Sequence, residues 1–121
     1  MQEDRAYIQK LATLAVLGAA SKNQMNELAA ITRRQAETCA RLACARGKIR
    51  YDDQEDVIQN ATIKALAYLP RWDAARSSWL TYASRIAATC IADCQRVYEK
   101  DARLTEATYE IQALVYDNEH K

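Results

Sequence analysis

Apolar positions recur at spacings of three and four along most of the chain, the period of amphipathic helices. In residues 3–19, Ile8, Leu11 and Ala15 fall on one stripe with Leu14 beside it, and Gly18 and Ser21 mark the end of that helix. A second helix over 23–46 has Leu28, Ile31, Cys39, Leu42 and Ala43 as inward candidates, with Gly47 as its C-terminal stop. The segment YDDQED, 51–56, offers Asp52 or Asp53 as an N-cap, followed by carboxylates that favour a helix N-terminus. The third helix, 53–69, is expected to bury Val57, Ile58, Ala61, Ala65 and Leu69 and to stop before Pro70, because the residue preceding proline avoids helical angles.

After a short loop over 70–77, Ser77 or Ser78 is expected to cap a fourth helix running to about residue 100. Its inward stripe reads Ala83, Ile86 or Ala87, Cys90, Cys94 and Val97. Thr105 is expected to cap a last helix carrying Ile111 and Leu114, with a frayed tail over 116–121. The pattern predicts an all-α protein, a single bundle of about five helices. Residues 1–104 form its body, helix 3–19 packs on that body, and 105–121 form an acidic C-terminal helix and tail.

Composition narrows the function classes. Of 121 residues only two are glycine and one proline, in keeping with a helical domain. The formal net charge of +1 argues against a free-standing DNA binder with a broad electrostatic footprint, so any nucleic-acid contact is expected to be local or helped by a partner. No apolar run approaches the ~20 residues needed to span a bilayer. Residues 1–20 lack a signal-peptide pattern, so a cytoplasmic location is expected. Cys39, Cys44, Cys90 and Cys94 are read as reduced core residues, since their spacing does not match paired zinc knuckles. The lone histidine, His120, falls in the tail, and no glycine-rich phosphate loop is present; neither an enzyme nor a cofactor is expected. The acidic cluster Asp52, Asp53, Glu55 and Asp56 is explained by helix N-terminus stabilisation without a metal.

The stretch PRWDAARSSWLTYASRIAATCIADCQR, 70–96, holds both tryptophans and Tyr82 among four arginines. Core packing is one reading of these aromatics. The other is a strand-capture surface, in which the rings at 72, 79 and 82 protrude into solvent. Any base can stack on an exposed ring for about 1–3 kcal/mol, while arginines hold phosphates.

Residues 27–100 resemble region 2 of bacterial RNA polymerase sigma factors. EDVIQNATIKAL is similar to the acidic, aliphatic and glutamine-bearing start of that family's polymerase-binding helix. RWDAAR resembles the loop that follows, WLTYA the aromatic segment of the melting helix, and IAATCIADCQR the corresponding run of the small extracytoplasmic-function members. The resemblance implies that Asp56, Gln59, Asn60, Ile63 and Leu66 contact the clamp helices of the polymerase's largest subunit. The spacing of Gln59, Ile63 and Leu66 independently makes one helix face apart from the core stripe. It further implies that Trp72, Asp73, Arg76 and Tyr82, supported by Trp79 and flanked by Arg71, form a pocket for a flipped base of the −10 promoter element on the non-template strand. Arg85, Thr89 and Arg96 would lie along the −10 duplex.

Where primary sigma factors carry two tryptophans after the Tyr-Ala step, this chain has Arg85 and Ile86. No second DNA-binding domain is read after Lys100, which is similar to one-domain late sigma factors of bacteriophages; those leave upstream recognition to a separate coactivator or do without it. Three functions are therefore carried forward: a minimal sigma-like initiation factor; a sigma-mimicking regulator that occupies the polymerase and inhibits or redirects host transcription; and a helical protein-interaction module unrelated to transcription.

Overall fold

A computed structural model describes the backbone of residues 2–119 and the side chains of residues 5–116. Four α-helices, α1 (Gln2–Val16), α2 (Lys22–Ala45), α3 (Gln54–Ala67) and α4 (Trp79–Glu119), are joined by loops with 3₁₀ turns at Tyr51–Asp53 and Leu69–Arg71. No strand occurs among the described residues.

Local signals account for the helix ends. Gly18 and Gly47 both adopt positive φ, 72° and 73°. Each is followed by a backbone bond reaching back five residues, Ala19 N–H to Leu14 O and Lys48 N–H to Ala43 O, both 2.9 Å. This is the Schellman closure, which needs a left-handed residue. Nothing lies within 4 Å of a Cβ built on Gly47, so Gly47→Ala adds backbone strain without a clash. It is expected to lower stability by about 1 kcal/mol, read as a shifted urea midpoint with an unchanged slope. At the start of α2, Ser21 and Gln24 form a reciprocal capping box: Gln24 N–H donates to Ser21 Oγ at 3.1 Å, and Ser21 N–H donates to Gln24 Oε1 at 2.8 Å.

Asp53 occupies the N-cap position of α3 but does not cap it. Its carboxylate instead accepts from Arg50 Nε at 2.9 Å. Glu55 and Asp56 supply the favourable charge in the first turn. Ser78 does cap α4, its Oγ accepting from Thr81 N–H at 3.2 Å.

The core has two halves. One gathers Ala36, Ala40 and Ala43 of α2, Val57, Ile58 and Ala61 of α3, Ile49, and Ala87, Cys90 and Ile91 of α4. The small α2 residues let three helices approach closely. The other half gathers Leu11 and Ala12 of α1, Leu28 and Ile31 of α2, Ala65, Leu69, Trp72, Trp79 and Ala83. All five residues expected inward on α3 and its exit, Val57 to Leu69, are buried. Leu42 and Val97, also expected inward, are 49% and 60% exposed. Leu42 is displaced by the alanine stripe that actually faces α3 and α4, and Val97 stands on the rim of an open groove beside Asn60 and Lys64 of α3.

The larger correction concerns the C-terminal region. The expected fourth and fifth helices are one continuous helix, with no start at Thr105. The Thr105 hydroxyl donates to Asp101 O at 2.9 Å, the back-bond of a threonine inside a helix. An N-cap would accept from an N–H further along. With no glycine or proline between residues 97 and 119, nothing in the chain breaks the helix. The acidic segment from 105 onward continues α4 outward, exposed to residue 116, rather than folding back on the bundle. The tail expected to fray is helical to residue 119, and residues 120–121 lie outside the described residues.

Candidate nucleic-acid and polymerase interface

The two tryptophans and Tyr82 are brought together, but not as a solvent-facing platform. Trp79, at the first turn of α4, is fully buried, and Trp72 is 6% exposed. Their rings meet edge-on, with centroids 5.7 Å apart and planes at 80°. Trp79 Nε1–H donates to the buried Thr32 hydroxyl of α2 at 3.0 Å, and the Thr32 hydroxyl in turn donates to Leu28 O at 2.7 Å. Trp72 Nε1–H donates to Ser77 O at 3.0 Å and so closes the loop on itself. The expectation that rings 72 and 79 protrude for base stacking is overturned. Each polar indole N–H finds an internal acceptor, which removes the main cost of burying these large apolar side chains. Tyr82 is half-buried against Trp79 (centroids 5.8 Å apart), and its hydroxyl donates to Tyr68 O at 3.2 Å.

The buried tryptophans shape what stays outside. Residues 72–78 wrap around the Trp72 ring. Asp73 organises the turn: its Oδ1 accepts from Ala75 N–H at 3.0 Å and its backbone carbonyl from Arg76 N–H at 3.0 Å. Arg71, Asp73 and Arg76 are all exposed at the junction of α3 and α4. The Arg76 guanidinium stays close to Asp73, Nε to Oδ2 3.6 Å, at 86% side-chain exposure. Arg71 lies over the Tyr68 ring, 4.9 Å from its centroid.

Tyr68 was not singled out from the sequence, yet it is the aromatic most open beside the loop, 39% exposed. Its carbonyl, its ring and Arg71 make one surface with Tyr82. The signal was its place at the end of α3, one residue before the Leu-Pro step, where the chain turns and the side chain is left on the rim.

Along α4, Arg85, Thr89 and Arg96 are exposed as expected. The Thr89 hydroxyl donates to Arg85 O at 3.1 Å, which leaves its oxygen as an acceptor. Arg96 is held by Asp93 at 3.2 Å. Arg85 lines an open groove bounded by α1, α2 and α4 with Arg5, Gln9, Gln35, Ser78 and Ser84. Gln9 is part of the construction of this rim, since its Oε1 accepts the Trp79 N–H, one of the orphan donors at the start of α4, at 3.1 Å. Arg5 and Gln9 could not be read from the sequence as neighbours of this site, being some 70 to 80 positions away from it.

On α3, Asp56, Gln59, Asn60 and Ile63 form a continuous exposed face, with Ile63 at 58%. Leu66, expected on the same face, is half-buried and packs against the second core cluster. It sits at the boundary between that face and the core.

Among the described residues no cluster of three or more histidine, cysteine, aspartate or glutamate side chains could hold a metal ion. The four cysteines are free and belong to or border the first core cluster. Burial pushes the Cys90 and Cys94 thiols above their ordinary range, with nearby Asp93 and Asp53 respectively acting in the same direction. Both are therefore neutral thiols at pH 7 and poor nucleophiles. No helix among the described residues is long and apolar enough to cross a membrane.

Comparison of the chain with protein-family models, with curated proteins and with solved structures finds no match.

Proposed function

We propose that this protein is a sigma-like initiation factor, which binds core RNA polymerase through α3 and engages an opened −10-like promoter strand with the 71–76 loop and the outer face of α4. The reading is supported by one arrangement. Tryptophan burial fixes a short, arginine-bearing loop, and this loop directly follows a helix whose exposed face mixes Asp56, Gln59, Asn60 and Ile63. A mixed polar and apolar face suits a protein partner. Arg71, Arg76 and Arg85 suit phosphates. Stacking in this version falls to Tyr68 and Tyr82, with Arg71 as a planar cation beside them, rather than to the tryptophans. The net charge of +1 fits a factor whose DNA affinity depends on polymerase for most of its electrostatics.

A second reading, a helical protein-interaction module outside transcription, draws on the burial of Trp72 and Trp79, which removes two stacking surfaces.

The deciding experiment adds the protein to bacterial core polymerase at moderate salt and assays both retention and transcript starts. Retention with new starts supports initiation. Retention with only a fall in host-sigma transcription identifies the sigma-mimicking regulator. No retention leaves the interaction module. Within the first outcome, Arg71→Ala and Arg76→Ala are each expected to weaken promoter-complex formation about tenfold and to reduce its salt slope by about one, while core binding is kept.

A further inference from the structure

Beyond Gln95, α4 leaves the bundle. Residues 96–116 are exposed throughout; near the bundle's end Arg50 lies over the Tyr98 ring at 4.8 Å and Val97 borders a groove with Asp56 and Asn60 of α3. A single helix in water is marginal without tertiary packing. This one also displays Val97, Leu104, Ile111 and Leu114, each between 57% and 64% exposed. Their spacing is ordered. Ala83 and Cys90, both buried, begin a seven-residue series that Val97, Leu104 and Ile111 carry into solvent. Lys100, Ala107 and Leu114 hold the second apolar position of the same heptads. A heptad seam of this kind is a surface for another helix.

We propose that the covering helix is the same segment of a second copy of the chain, packed antiparallel. The charge pattern selects this occupant and its direction. In a parallel pair, equivalent positions face each other, so Lys100 would stack on Lys100 of the second copy in the seam. In an antiparallel pair the first seam position of one helix faces the second of the other. Val97 then meets Leu114 of the second copy, Leu104 meets Ala107, and Lys100 lies against Ile111. The lysine stem covers that isoleucine while its ammonium reaches water. The residues flanking the seam on one side, Arg103 and Glu110, then come opposite each other across the two-fold axis. Each occurs twice, so the dimer gains two symmetric Arg–Glu pairs at its rim. The segment is self-complementary in both apolarity and charge, as an isologous interface requires. This inference does not depend on the polymerase reading, because it rests on residues 97–114 of α4 and can be tested without any other component.

Sedimentation equilibrium of the whole chain from low micromolar to near-millimolar concentration reads the association. A monomer–dimer equilibrium is expected, and Leu104→Asp is expected to abolish it. Arg103→Glu and Glu110→Arg are each expected to weaken it about tenfold, since each turns two attractions into two repulsions. The double charge swap restores it to near the wild-type constant, because the pairs re-form with reversed polarity. All three positions are exposed and outside the core, so the near-ultraviolet signal of the buried tryptophans is expected to stay unchanged and reports that the bundle is folded. A monomer at every concentration overturns the proposal. So does a dimer that ignores the single swaps, or one that the double swap fails to restore.

Discussion

Trp79→Ala is expected to lower the unfolding free energy by about 3–5 kcal/mol, as large-to-small changes of buried aromatics do. Trp79 is wholly enclosed, and it joins three elements: its ring packs on Trp72 from the loop, its indole N–H donates to Thr32 of α2, and its backbone N–H donates to Gln9 Oε1 of α1. Removing the ring opens a cavity where α1, α2 and α4 meet and leaves Trp72 without its edge-on partner. A domain of this size has only about 5–15 kcal/mol to lose. Trp79→Phe keeps most of the apolar contact and gives up the bond to Thr32. Its expected cost is about 1 kcal/mol, because Thr32 retains its own bond to Leu28. Urea unfolding followed by far-ultraviolet circular dichroism separates the two. A ring standing in solvent would cost less than about 0.5 kcal/mol on either change, and that result would restore the stacking platform.

This residue also shows where sequence reading reached its limit. The helices of the body were legible because they rest on local signals: period, glycine stops, a capping serine and proline. The five inward residues of α3 followed from spacing alone. The fate of Trp72 and Trp79 did not, because it depends on whether a buried acceptor waits for each indole N–H. Those acceptors are Thr32, 47 positions away, and Ser77 O, made available by a loop whose shape the tryptophan itself fixes. The continuous α4 was misread for a different reason. Thr105 is compatible with an N-cap or with a helix interior, and only the absence of any breaker before it separates the two. The face of α3 was the more legible part of the candidate site, since Gln59 and Ile63 are exposed as their spacing implied, Asp56 and Asn60 as the resemblance implied, and only Leu66 turns toward the core. The part around the 71–76 loop and the start of α4 was less so, because Tyr68 and Arg5 enter it through tertiary contacts.

The face of α3 supplies the second large effect. If the proposed function holds, Ile63→Glu is expected to weaken binding to core RNA polymerase by roughly thirtyfold or more, about 2 kcal/mol, the cost of placing a charge at the centre of an apolar contact. Ile63 is 58% exposed in the free protein, so the same change is expected to alter folding stability by less than about 0.5 kcal/mol. That separation makes it a sharper probe than Leu66, whose contact with the core would confound binding with unfolding. Gln59→Ala and Asn60→Ala, which remove rim hydrogen bonds and leave no buried charge, are expected to cost less, about 0.5–1.5 kcal/mol each. Competition against a labelled host sigma factor for core polymerase measures all three on one scale. Equal competition by wild type and Ile63→Glu would place the polymerase contact elsewhere on the protein. It would also leave the α3 face as ordinary solvated surface, since an exposed isoleucine alone needs no partner.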